Sequence, residues 1–248
     1  MKARLLTVFA LLAAVACALP CGHAFCTRAD IFGLSGYALI GVYIALLAAC
    51  VVLTDIAHEC GHVLAGLCCK MGVKLQKYRP FNSSSVEVHP RGAGHMRLRM
   101  IITASGGLLI TALVAALGLT ALFVPAIHPV CCVLAPYSVY LFIVNAVPAG
   151  DNDGSVICGL ISRSDSSLVM LAVLAVQGMV AAGTPLKDVP EDMLADLPQL
   201  PEDDVYFIIL TKLRCEYYAA RGDSAAAQKY FERYRQIECY LPSEYRTD

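Results

Sequence analysis

Asp55-Ile56-Ala57-His58-Glu59-Cys60-Gly61-His62 follows an almost wholly apolar run from Tyr37 to Leu53, and a second apolar stretch follows it to Cys69. At 3.6 residues per turn, a helix sets His58 and His62 one above the other on one face. Two imidazoles can then share one metal ion, with Glu59 beside it. Zinc lowers the pKa of its water from about 15.7 to about 7, and a carboxylate placed like Glu59 can take the proton, a combination that hydrolyses amides. The plain alternative is that these polar residues cap or face a helix pair. Their setting weighs against it, because ionisable groups at membrane depth are expensive and usually functional. The site still needs a third ligand. Asp55, three residues before His58, either orients a ligand imidazole or faces the water that reaches the site.

At 58% hydrophobic residues, with no Trp among 248 residues and a mean hydropathy of +0.62, the chain is too apolar for an ordinary soluble enzyme. The net charge of -1 hides a division. Residues 70 to 99 carry seven basic side chains (Lys70, Lys74, Lys77, Arg79, Arg91, Arg97, Arg99) against Glu87 alone, whereas the chain beyond 150 is acidic. No long basic stripe with interleaved aromatics is present, which excludes nucleic acid as the expected partner. Most of the twelve cysteines sit in or beside apolar runs, where they behave as small hydrophobes. Cys21 and Cys26 fall in a short polar loop, where a disulfide is open.

The pattern predicts an α-helical membrane protein of about four spans. Lys2 and Arg4 precede an apolar run from Leu5 to Leu19, readable as a retained span or as a signal peptide with a cleavage site at Ala16-Cys17-Ala18. Residues 20 to 33 then form an outer loop. The second span runs from Leu34 to Cys69, roughly 50 Å of helix against a hydrocarbon core of ~30 Å. Val73 to Tyr78 and Ser85 to His89 alternate as a small β-hairpin, placed in the cytoplasm by its charge. Spans from Met100 to Val124 and from Val130 to Val147 follow, the first carrying Ser105-Gly106-Gly107, small residues that let helices approach. Pro148, Gly150 and the Asp151-Asn152-Asp153-Gly154 turn end the last span. Calcium is not expected there, because no Glu stands at the closing position.

Leu168 to Ala182 is too short to span and reads as a buried helix. A helical pair from about Asp204 to Glu238 follows. Tyr218, Gly222, Ala227 and Phe231 match the spacing of one tetratricopeptide hairpin, and a plain helical hairpin fits as well. The expected divisions are 1–33 (first span or signal peptide with outer loop), 34–160 (core) and 161–248 (cytoplasmic helical domain).

His58-Glu59-Cys60-Gly61-His62, followed two spans later by Asn145-x-x-Pro148-x-x-x-x-Asp153-Gly154, resembles the site-2 protease family of intramembrane zinc metalloproteases. The resemblance covers about residues 44 to 160. It implies a three-span core in which Asp153 joins His58 and His62 on one zinc ion per chain, and Glu59 is the general base. It also implies that Asn145 holds the substrate or the developing oxyanion, and that Pro148 breaks the helix delivering Asp153. Two departures stand out: Ser105-Gly106-Gly107 where the family often has Gly-Pro, and Asn152 where it has a bulky apolar residue. Asp151 stands close enough to compete for the metal.

The expected activity is hydrolysis of peptide bonds in or next to membrane-spanning segments. Its partners are a transmembrane or membrane-associated protein substrate, the bilayer, and a protein on the helical tail. Two alternatives are a soluble-style zinc protease with Glu87 as third ligand, and a non-catalytic zinc-binding membrane scaffold whose tail binds partners.

Overall fold

The computed structural model describes residues 2–29, 33–34, 36–75 and 86–241. It is mostly helical, with one two-stranded sheet among the described residues. Among the described residues, four helical segments are long and apolar enough to cross a membrane. They are α1 (Lys2–Arg28), α2 (Tyr37–Cys68), α3 (Met96–Phe123) and the run Pro129–Ala146, in which a 3-10 turn (Pro129–Leu134) leads into α4 (Ala135–Ala146). The chain divides into two compact units: Met1–Cys69, Val73–Glu87 and Ile101–Cys158 form the first, and Lys70–Gly72, Val88–Met100 and Gly159–Asp248 the second.

In the first unit α1 packs against α4, the 3-10 turn and α2. The loop expected from Pro20 is instead helix, continuing through Pro20 to Arg28. Burial holds it: Cys21 and Phe25 are enclosed with Tyr43, Cys132, Val133 and Ala135. The Tyr43 hydroxyl donates to the Ala18 carbonyl at 2.9 Å, near the proline that lacks an amide proton. Cys21 and Cys26 therefore lie in a helix rather than a loop, and both thiols are free. At the far end of α1, Arg28 donates to the carbonyls of Ala121 (2.9 Å) and Leu122 (3.3 Å), which the end of α3 would otherwise leave unpaired.

The sheet pairs β1 (Met71–Leu75) with β2 (Val86–Pro90). The rest of the expected hairpin, residues 76–85, lies outside the described residues. Helix α3 begins at Met96, four residues earlier than expected, which places Arg97 and Arg99 in its first turn. Charge pattern alone reads these arginines as a topology signal, yet both have partners inside the fold. Arg97 donates to the Leu160 and Ile161 carbonyls at 2.6 and 2.7 Å, closing the end of α5 (Asp153–Ser162). Arg99 donates to the carbonyls of Lys70 (3.0 Å) and Gly92 (2.8 Å).

The second unit has a conventional core. α6 (Asp165–Ala181), α7 (Asp192–Ala195), α8 (Val205–Arg221) and α9 (Ser224–Ile237) enclose Val173, Val176, Leu194, Ile208, Leu210, Tyr217 and Ile237. The α8–α9 hairpin turns where its sequence dictates. Gly222 takes φ 81°, a left-handed conformation that costs glycine little, and the Asp223 side chain accepts from the Ala226 amide to start α9. Tyr218 of α8 stacks on Tyr230 of α9 with ring centroids 5.5 Å apart.

Candidate metal centre

His58 and His62, four residues apart on α2, are both buried. What lets them share a site is the approach of α3. A Cβ added at Gly61 would stand 2.5 Å from the Gly106 carbonyl oxygen, so the two backbones cross at a glycine pair. One residue on, a side chain at Gly107 would collide with His62 Nε2 and lie 2.7 Å from His58 Cε1. The small residues read from the sequence thus bring α3 directly against the imidazoles. Helix α3 also supplies partners for both rings: His62 Nδ1 lies 2.9 Å from the Thr103 carbonyl oxygen, and His58 Nδ1 lies 2.8 Å from Thr111 Oγ1.

Asp153 arrives from the other side of the sequence. The chain leaves α4, turns through Gly150 at φ 92°, and re-enters helix at Asp153, the first residue of α5. The expectation of irregular backbone at Asp153 is thereby corrected. Asn152 makes the difference: its Oδ1 accepts from the Ser155 amide at 2.9 Å as a helix cap, and its Nδ2 donates to the carbonyls of Val144 and Val147 at 2.6 and 2.8 Å. One side chain so ties the end of α4 to the start of α5. Gly154 serves a close approach rather than an unusual turn, since a Cβ there would collide with the Ala146 carbonyl oxygen.

Three ligand atoms converge. His58 Nε2 and His62 Nε2 are 3.1 Å apart, and Asp153 Oδ2 lies 3.2 Å from the first and 3.4 Å from the second. Tetrahedral zinc, with bonds of roughly 2.0–2.2 Å to nitrogen and oxygen, sets its ligand atoms about 3.3–3.5 Å apart, close to this triangle. Proton arithmetic agrees. A carbonyl oxygen only accepts, so a neutral His62 carries its proton on Nδ1 and turns its Nε2 lone pair inward. Asp153 Oδ2 is buried without a hydrogen-bond partner, one of two such side-chain atoms found among the described residues. The other is Thr54 Oγ1, one turn before His58. Crowding acceptors together out of water is costly unless a cation lies among them. Two imidazoles and a carboxylate suit zinc and leave a fourth position open.

Among the described residues, His58, His62 and Asp153 form the group that can hold a metal. Glu59 follows His58 on α2 and is partly buried. Asp151 is exposed and Glu87 sits on β2, neither within the group. Asn145 donates to the Leu141 carbonyl at 3.1 Å, one turn back in its own helix. The Asp55 carboxylate accepts from the Tyr137 hydroxyl at 2.7 Å, linking α2 to α4, while the Nδ1 atoms of both imidazoles are met by Thr103 and Thr111 instead. The imidazole partners Thr103 and Thr111 escaped the sequence reading, their one signal being their position flanking the Ser105-Gly106-Gly107 stripe by less than two turns. Comparison with protein-family models, with curated proteins and with solved structures gave no match.

Proposed function

We propose that the chain is an intramembrane zinc metalloprotease of the site-2 type, hydrolysing peptide bonds in or beside membrane-spanning segments of other proteins. The observation that carries this reading is the meeting of His58, His62 and Asp153 within 3.1–3.4 Å, in a chain whose described residues include four helices apolar enough to span a bilayer. His58, His62 and Asp153 would hold the ion. When bound, zinc supplies a Lewis acid and makes water a nucleophile near neutral pH. Glu59 takes the proton from the attacking water and passes it to the leaving amine. Asn145 steadies the substrate carbonyl with the second N–H of the amide nitrogen that also donates to the Leu141 carbonyl.

In this reading the apolar helices lie in lipid, and the basic 70 to 99 segment and the C-terminal helices are cytoplasmic by the positive-inside rule. A helical substrate hides its own amides and must unwind locally, and the small sheet offers an edge on which an extended segment can pair. The tail is then the docking part for a partner protein. A scaffold with a structural metal would close zinc with four protein ligands, and the described residues bring three. Glu59→Gln tests the proposal: the purified variant should keep its zinc and lose turnover on a membrane peptide that the wild type cuts. Wild-type turnover in the variant would remove Glu59 as the base.

A further inference from the structure

We infer that Thr111 is a positioning residue that decides which nitrogen of His58 faces the metal, an inference that rests on the zinc reading above. The two imidazoles are held differently. His62 leans on a backbone carbonyl, whose polarity is fixed and which no side-chain substitution removes. His58 leans on a hydroxyl, which can donate or accept. The direction is set one step further out, where Thr111 Oγ1 donates its single proton to the Gly107 carbonyl at 2.9 Å. Having given that proton away, the hydroxyl meets His58 Nδ1 as an acceptor, so Nδ1 carries the hydrogen and Nε2 turns its lone pair toward His62 Nε2 and Asp153 Oδ2.

Gly107 therefore acts twice, its missing side chain admitting the rings and its carbonyl orienting the hydroxyl that orients His58. Thr111 is 0% exposed, so water does not replace the hydroxyl once it is lost. Valine has the same shape without the acceptor. It leaves Nδ1–H unpaired and frees the ring to carry its proton on Nε2, where it blocks a ligand position. Serine keeps both the acceptor and the donor.

The test compares full-length wild type, Thr111→Val and Thr111→Ser in detergent, stripped with chelator and titrated with Zn²⁺, and separately with Co²⁺ followed by its visible absorption. Loss of a partner that orients a ligand histidine weakens metal binding roughly 10- to 100-fold. The valine variant should show that loss and an altered cobalt spectrum while keeping wild-type helicity by circular dichroism. The serine variant should restore both affinity and spectrum. Equal affinity and spectra in wild type and valine variant would overturn the inference and leave the zinc reading standing, as would a serine variant that falls as far as valine. A wild type that takes up no zinc would instead overturn the zinc reading, and this inference with it.

Discussion

Along α3 in the first unit, Leu109 is 61% exposed and Phe123 82%, while Thr103 and Thr111 are buried; in α8 of the second, Ile208 and Tyr217 are both 0% exposed. In the second unit α8 and α9 enclose an apolar core and keep Lys229, Glu232 and Arg235 of α9 outside. The first keeps its apolar surface outward and gathers its polar groups where α2, α3 and α5 meet. Exposed apolar surface costs about 25 cal/mol per Å² in water and nothing comparable in lipid. The contrast is compatible with lipid around the first unit, and it concentrates chemistry: in such a unit a polar side chain has few places to be satisfied except against another.

The sharpest way to break the contrast is at the polar interior. Gly107→Ala forces a methyl into the His58 and His62 rings, so bound zinc and proteolysis should both vanish, as elemental analysis and a peptide assay would report. In the second unit, Ile208→Ala opens a cavity in an ordinary core and should cost about 3 kcal/mol, read by urea unfolding of the tail, with zinc content unchanged. The outward faces can then be set against each other. Leu113→Lys, 58% exposed in the first unit, should cost about 3 kcal/mol of membrane insertion in a translocation assay. Phe231→Ser, similarly exposed in the second, should change stability by no more than about 0.5 kcal/mol. Between these, Arg97→Ala removes the donors closing α5 and should cost about 1 kcal/mol, seen as faster amide exchange at that helix end.

Much of this contrast is legible in the chain because it depends on local pattern. Apolar runs mark the long helices, the four-residue spacing puts His58 and His62 on one face, and Gly222-Asp223 marks the α8–α9 turn. Other features depend on which helix meets which. The Tyr137 hydroxyl that Asp55 finds is 82 residues away, and Thr111 and Thr103 are 53 and 41 residues from their histidines. The two histidine pairings follow from the register at which α2 and α3 cross, set here by Gly61 and Gly106, and no periodicity encodes it. Pro20 misleads in the other direction, since tertiary burial of Cys21 and Phe25 overrides a local breaker. Asn152, three residues before Ser155, has the spacing of a cap, but Pro148 and Gly150 just before it obscure the helix start.

In the proposed site a carboxylate from α5 completes a zinc-binding set with two histidines of α2. Two aspartates only two residues apart make the test clean, because Asp153 points into the site and Asp151 is exposed. Bound zinc should be measured by elemental analysis of the purified full-length protein and its Asp153→Ala and Asp151→Ala variants. One zinc per chain is expected in the wild type, nearly the same in Asp151→Ala, and loss of most of it in Asp153→Ala. Zinc kept by Asp153→Ala and lost from Asp151→Ala, or a wild type that binds none, would contradict Asp153 as the third ligand.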